Sequence, residues 1–197
     1  MNVAEIELAG NALSLDFANT LNSRRVPTPR DYIGDYAAWL AWSAHAGALP
    51  ADAVSALARA TSPDAALARA HRLRDTVYAT FSAIAAGRAA DRDALAELAT
   101  AYGSAIANGA FVRRSDAGYA LQWTPGRPPN PDAPLWPVAH SAGELLLHGP
   151  LGRIGECPGC GWLFLDTSRN GTRRWCSMAT CGSRDKMARY HHRSRAR

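Results

Sequence analysis

The stretch "CPGCGWLFLDTSRNGTRRWCSMATC", residues 157–181, contains all four cysteines of the 197-residue chain. Two residues separate the first pair, four separate the second, and fifteen lie between the pairs. Such paired cysteines are typical of zinc sites, where two distant pairs close a tetrahedral shell around one ion. The sequence therefore predicts one structural zinc ion, bound by Cys157, Cys160, Cys176 and Cys181.

A redox-active cysteine pair and a catalytic zinc are the alternatives for this stretch. A thioredoxin-type C-x-x-C opens a helix, whereas "CPGCG" leads into the strand-like "WLFLD". Four cysteine ligands leave no coordination position for a reacting water. Both alternatives are therefore less favoured than a structural ion.

The residues around the cysteines predict a treble-clef-like finger that consists of a knuckle, a β-hairpin and a helix. "CPGCG" favours a tight turn, because proline fixes one dihedral angle and glycine adopts positive φ. Residues 162–166 and 172–176 flank an Asn-Gly dipeptide, which predicts a hairpin between the two cysteine pairs. Residues after Cys181 predict a helix with Ser183 as its cap.

The chain before the finger has mainly helical periodicity. A helix is predicted from Asp31, as its cap, to Gly47, and a long central helix from Ser62, as its cap, to Gly87. The long helix has one apolar face, made of Leu67, Ala70, Leu73, Val77, Phe81 and Ile84. A short strand is predicted at "EIELAG", residues 5–10, and a β-hairpin in "GAFVRRSDAGYALQW", residues 109–123.

Six of the twelve prolines lie in residues 125–137, which predicts an irregular loop. The expected fold class is α+β, mainly α. Residues 1–150 form a helical domain with a small β-hairpin, and residues 151–197 form the finger.

Basic residues are concentrated at the C-terminal end. The formal net charge is +5, to which residues 151–197 contribute +7 and residues 1–150 contribute −2. This distribution predicts that the C-terminal end contacts a polyanion. The predicted nucleic-acid contacts are Arg169, Arg173, Arg174, Arg184, Lys186, Arg189 and Arg193.

A basic helix fits the major groove of DNA, where arginine recognises guanine edges and other basic groups hold phosphates. Charge alone does not distinguish DNA from RNA or from an acidic protein. A solvated basic helix is the plain alternative. DNA is therefore the predicted partner, and RNA and protein remain alternatives.

A polar cluster in the first forty-two residues is a candidate ligand pocket for a small-molecule effector. Its members are Asp16, Asn19, Asn22, Trp39 and Trp42. Helix capping and packing between helices is the alternative role for these side chains.

The pattern C-x2-C-x-W-x-F-x-D-x-S-R-N-x3-R-W-C-S-M-x2-C-G-S-R-x-K resembles the CGNR zinc finger. The preceding chain resembles the ABATE domain that accompanies this finger in bacterial proteins described as stress-induced transcription regulators. That likeness rests on "LSLDFANTLNSRR", "DYAAWLAWSAHAG" and "LRDTVYATFSAIAAG". The resemblance implies zinc binding by the four cysteines and a basic motif that comprises Arg169, Arg173, Arg174, Arg184 and Lys186.

One position departs from the family pattern, because C-G-N-R reads Cys181-Gly182-Ser183-Arg184 here. A serine can still cap the following helix, so we expect the fold to be kept. The resemblance implies a DNA-binding transcription regulator whose N-terminal domain senses a signal or forms a homodimer. A ligand-binding or enzymatic N-terminal domain with a structural or protein-binding finger is the alternative.

No nucleotide-binding loop, metalloprotease motif or nucleophile elbow occurs in the sequence. We therefore expect no enzymatic activity. The sequence has neither a run of eighteen apolar residues nor an export signal, which favours a cytoplasmic protein without a membrane segment.

Overall fold

The computed structural model describes residue 3, residues 6–116 and residues 118–195, without the side chains of residues 191–193 and 195. These residues form seven α-helices and two small antiparallel sheets, so the expected mainly helical α+β fold is confirmed. The helices are α1 (Leu13–Ala18), α2 (Tyr36–His45), α3 (Ala51–Leu57), α4 (Pro63–Ala85), α5 (Arg92–Ala107), α6 (Leu135–His148) and α7 (Ser183–Arg195). The strands are β1 (Ala110–Arg113), β2 (Tyr119–Gln122), β3 (Ile154–Glu156) and β4 (Leu163–Leu165).

The long helix α4 lies at the centre of the molecule and contacts α1, α2, α5, α6 and β3. Its predicted apolar face is confirmed, since Ala70, Val77 and Phe81 are fully buried. The helix begins at Pro63, directly after the predicted cap, but the Ser62 side chain makes no capping hydrogen bond.

Helix α2 begins later than predicted. It starts at Tyr36, and the carboxylate of Asp35 caps it by accepting the Ala38 N–H at 2.7 Å. Asp31 is not a cap, because its carboxylate instead forms an ion pair of 2.7 and 2.8 Å with Arg74 of α4.

Two further expectations for the N-terminal part are corrected, and one is confirmed. Residues 6–9 form no strand, and the next residue, Gly10, accepts a backbone hydrogen bond from Leu165 in the finger. Helix α6 starts at Leu135, so the proline-rich loop ends earlier than residue 137. The hairpin β1–β2 is formed as predicted, with Ala110 opposite Gln122.

The main apolar core continues past residue 150. Strands β3 and β4 pack against α1 and α4, and Ile154 and Leu163 belong to the same buried cluster as Phe17 and Val77. The finger is therefore built onto the helical body through a shared core. In the part of the chain that the structure describes, no helix combines the length and the apolar character that a membrane crossing requires.

Candidate metal centre and the surface around it

The first cysteine pair lies in the turn between β3 and β4. These strands are antiparallel, with Glu156 opposite Leu163. Within the turn, the Cys157 N–H donates to the Trp162 carbonyl and the Gly161 N–H donates to the Cys157 carbonyl, each at 2.8 Å. The knuckle is closed by Gly161 at a φ of +77°, a conformation that strongly favours glycine.

The hairpin predicted between the two cysteine pairs is wrong. Strand β4 pairs with the segment before Cys157, and residues 172–176 form no strand. The cause lies in Asp166, whose carboxylate accepts the backbone N–H groups of Ser168 and Arg173, each at 2.8 Å. Hydrogen bonds from Ser168 and Arg173 hold the pKa of Asp166 below its usual range, so this charged carboxylate folds residues 166–173 into a compact loop.

The loop returns the chain to the knuckle and places the second cysteine pair beside the first. Cys181 lies in a turn of π-helix, Met178–Gly182, that leads directly into α7. The four buried Sγ atoms all lie within 4.8 Å of one another, and those of Cys160 and Cys176 are 3.5 Å apart. Tetrahedral zinc with bonds of about 2.3 Å requires sulfur atoms about 3.8 Å apart, so this arrangement fits one ion.

The four thiols compete for protons when no cation is bound. A hydrogen bond from Cys176 lowers the pKa of Cys160 to about 6, whereas burial raises the pKa of Cys181 to about 11. The same hydrogen bond raises the pKa of Cys176. A divalent cation removes this competition by taking all four groups as thiolates. The four cysteines therefore hold one structural zinc ion, which keeps the turn and the start of α7 in place.

A second apolar cluster surrounds the cysteines. Phe164 and Ala9 are buried in it, and Trp162 and Trp175 pack against it. The Trp162 indole N–H also donates to the Leu21 carbonyl at 2.6 Å. These aromatic side chains thus support the metal centre and join it to the N-terminal segment.

Arg173 differs from the other predicted nucleic-acid contacts because its guanidinium is used inside the protein. It donates to the carbonyls of Trp175, Cys176 and Ala9, the first at 3.0 Å and the last at 2.8 Å. The same group lies 4.5 Å from the centre of the Phe164 ring. Arg173 is therefore a structural cross-link between the metal centre and the N-terminal segment.

Four of the other predicted basic contacts are exposed side chains without an ion-pair partner among the described residues. They are Arg169, Arg174, Arg184 and Lys186. Arg174 lies over the Trp175 ring at 5.0 Å from its centre, and Arg189 pairs with Asp185 at 2.9 Å. The side chain of Arg193 lies outside the described part of the chain.

The structure does not bring the five candidate pocket residues around one cavity. Trp39 and Trp42 are fully buried in the core, and their indole N–H groups have no hydrogen-bond partner among the described residues. Asp16 accepts the Gly10 N–H at 2.7 Å, and Asn19 binds the backbone of strand β4. Of the five, Asn22 alone borders the cleft next to Cys160 and Arg184.

Sequence reasoning missed how the finger is attached. The Asn19 side chain donates to the Leu163 carbonyl and accepts its N–H, both at 2.8 Å. The Arg24 N–H donates to the Cys160 carbonyl at 2.7 Å, and Arg25 pairs with Glu156 at 2.5 Å. The only signal in the sequence was a polar side chain, Asn19, one residue after a strongly apolar helix.

These features define the class: a mainly helical protein that carries a zinc finger. Residues 153–194 match the family model of the CGNR zinc finger. Residues 11–149 match the model named ABATE, described as "Putative stress-induced transcription regulator". The chain therefore belongs to the ABATE family, with a CGNR zinc finger after the ABATE domain. No curated protein matches the chain.

Proposed function

We propose that this protein binds DNA through its zinc finger and regulates transcription, with α7 in the major groove. The observation that carries the proposal is the exposure of α7. Every side chain from Lys186 to Tyr190 is exposed, and the helix packs mainly on the turn that contains Cys181. A helix so weakly packed and so basic has a face available for a partner.

The dimensions and chemistry of α7 support this partner. Its 13 residues span about 20 Å, and the major groove is about 12 Å wide. Arg184 and Lys186 supply exposed cations near the start of the helix. Met187 and Tyr190 are 61% and 70% exposed and lie three residues apart, which suits apolar contact with base edges such as the thymine methyl group.

The finger loop supplies further cations. Arg169 and Arg174 are exposed on the segment that joins the cysteine pairs, and we assign them phosphate contacts. In this proposal the helical body senses a signal or forms a dimer. Asn19 and Arg173 connect the body to the finger, so a rearrangement of the N-terminal segment displaces α7.

The test compares two doubly substituted proteins that lose the same charge. One is Arg184→Ala with Lys186→Ala, and the matched control is Arg88→Ala with Arg92→Ala, two exposed arginines of the helical body. Binding of the zinc-loaded proteins to random duplex DNA is measured by fluorescence anisotropy at several salt concentrations. We expect the control to keep the wild-type slope of log K against log salt, and the α7 variant to flatten it by about 0.9 per lost phosphate contact.

If the salt slope flattens equally in both variants, the role of α7 is contradicted, because net charge alone then explains binding. If the protein binds structured RNA more tightly than duplex DNA at the same salt concentration, RNA rather than DNA is the partner. Absence of binding at low salt contradicts both and leaves a structural or protein-binding finger.

A further inference from the structure

A cleft in the helical body is lined by side chains between residues 69 and 139, outside the finger. It is bordered by α4, α5, α6 and the proline-rich loop, and its volume is about 330 Å³. Small-molecule sites commonly have volumes of roughly 300–1,000 Å³. The apolar part of its lining consists of Leu73, Ala101, Leu135, Trp136 and Ala139.

The loop side of the cleft is held in place by polar contacts. Asp132 of the loop forms an ion pair with Arg69 of α4 at 2.8 Å. The Asn130 side chain accepts the Asp132 N–H at 2.9 Å, and the Asn130 N–H donates to the Pro125 carbonyl. This wall is therefore preorganised, which reduces the conformational entropy that the loop would lose when a ligand binds.

Two opposite charges in the lining have no ion-pair partner among the described residues. They are Arg72 of α4 and Glu97 of α5, and no salt bridge joins them. Glu97 accepts a hydrogen bond of 2.5 Å from the Thr76 hydroxyl, and Thr76 lies one helical turn after Arg72. Arg72 and Glu97 thus line the same cleft, and the backbone positions of Arg72 and Thr76, whose hydroxyl binds Glu97, lie roughly 6 Å apart along α4.

We propose that the cleft binds a small zwitterion of the amino-acid type with an apolar side chain. The carboxylate of the ligand pairs with Arg72, its ammonium group pairs with Glu97, and its side chain packs on Trp136 and the two alanines. A simple anion leaves Glu97 facing a like charge, and a simple cation does the same at Arg72. A ligand with both charges satisfies both groups.

Binding at this site is independent of any nucleic acid, whereas its role as an effector site rests on the proposed function. Helix α4 forms one wall of the cleft and also contacts strand β3 of the finger. A ligand that stabilises α4 therefore acts on the element next to the metal centre.

The test uses the full zinc-loaded chain and a panel of probes. Calorimetry and thermal denaturation are measured with L-leucine, L-methionine and L-phenylalanine, and with their N-acetyl and methyl ester derivatives, which each lack one charge. We expect the free amino acids to bind and to raise the melting temperature. Each derivative is expected to bind at least about tenfold more weakly, because a charge-assisted hydrogen bond is lost.

Variants locate the site. Arg72→Gln and Glu97→Gln are each expected to weaken binding by about tenfold. Arg92→Gln, which removes an exposed charge outside the lining of the cleft, is the control. Ala101→Leu fills the cleft without changing charge, and Ala99→Leu on the exposed side of α5 is its matched control. If Ala101→Leu fails to fold, the two charge variants decide the question.

We expect a dissociation constant no weaker than about 10 mM for such a site. If none of the three amino acids binds at about that concentration, the proposal is overturned. Equal binding by the N-acetyl derivatives overturns the zwitterion class, and unchanged binding by the Arg72 and Glu97 variants overturns the location. Each of these outcomes leaves the DNA proposal intact, because no nucleic acid is present in the experiment.

Discussion

At the scale of single residues, the polar side chains of the N-terminal segment act as attachments for the finger. Asn19 is 2% exposed and satisfies both backbone groups of Leu163. Arg173 of the finger donates to the Ala9 carbonyl of the N-terminal segment. Buried polar groups require hydrogen-bond partners, and those of Asn19 are supplied by a strand residue 144 positions away in the chain.

Asp16 allows a prediction about pH. Burial raises the pKa of its carboxyl from 3.8 to about 6. Above pH 6 the folded protein therefore holds a buried negative charge, which lowers the free energy of unfolding. As the pH falls through 6 the folded state takes up a proton, and the free energy of unfolding rises. Asp16→Asn is expected to raise the free energy of unfolding by at most about 3 kcal/mol at pH 8, and by about 1.4 kcal/mol less at pH 5.

Urea unfolding of the zinc-loaded protein at pH 5 and pH 8 measures this difference. Asp52→Asn, which removes an exposed carboxylate from α3, is the control and is expected to change stability by less than about 0.5 kcal/mol. If Asp16→Asn raises the free energy of unfolding equally at both pH values, the raised pKa of Asp16 is contradicted.

At the scale of elements, the knuckle depends on one glycine. Gly161 has a φ of +77°, and a Cβ at this position would come within 2.8 Å of the Arg24 Cβ. Gly161→Ala is therefore expected to cost about 1–3 kcal/mol and to loosen zinc binding. In Gly159→Ala the new Cβ meets its nearest atom, the Cys181 Sγ, at an ordinary 3.4 Å, and little change is expected.

Thermal denaturation and zinc competition with a colorimetric chelator compare the two knuckle variants. The same substitution two residues apart controls for the loss of glycine flexibility in the unfolded chain. Equal effects of the two substitutions would mean that the strained conformation at Gly161 does not limit the site.

Ser183 does not cap α7, in contrast to the expectation from the sequence. The residue is already helical, and its hydroxyl donates to the Met178 carbonyl at 3.0 Å rather than capping the helix. The helix nevertheless begins there, because the π-helical turn of Cys181 leads into it. The metal centre, rather than a capping side chain, therefore fixes the position of α7.

At the scale of the whole molecule, the shared core predicts that zinc removal affects more than the finger. Strand β4 packs on α1 and is held by Asn19, so loss of the ion should also loosen α1. Hydrogen exchange with and without a chelator is expected to show faster exchange in residues 151–195 and in α1, with α5 unchanged. Readdition of zinc should restore protection.

Faster exchange confined to residues 151–195 would contradict this coupling and would indicate that the finger unfolds alone. Exchange that increases equally in α5 would instead indicate global unfolding. The exchange rates of α1 and α5 distinguish these outcomes.

Local patterns in the sequence were sufficient for the zinc ligands, the central helix α4, the hairpin β1–β2 and the basic character of α7. Each depends on spacing or periodicity over a few residues, and a cysteine pair or an apolar face has the same meaning wherever it occurs. The family resemblance at the finger was correct for the same reason.

Only the tertiary structure decided which basic groups are free, which strands pair and what the polar N-terminal residues do. Arg173 and Arg174 are neighbours in the sequence, yet one is bonded to three carbonyls and the other is exposed. Strand β4 could pair in either direction along the chain until the loop at Asp166 excluded one partner. These outcomes depend on contacts between distant segments, and a sequence pattern does not specify which distant group satisfies a buried hydrogen bond.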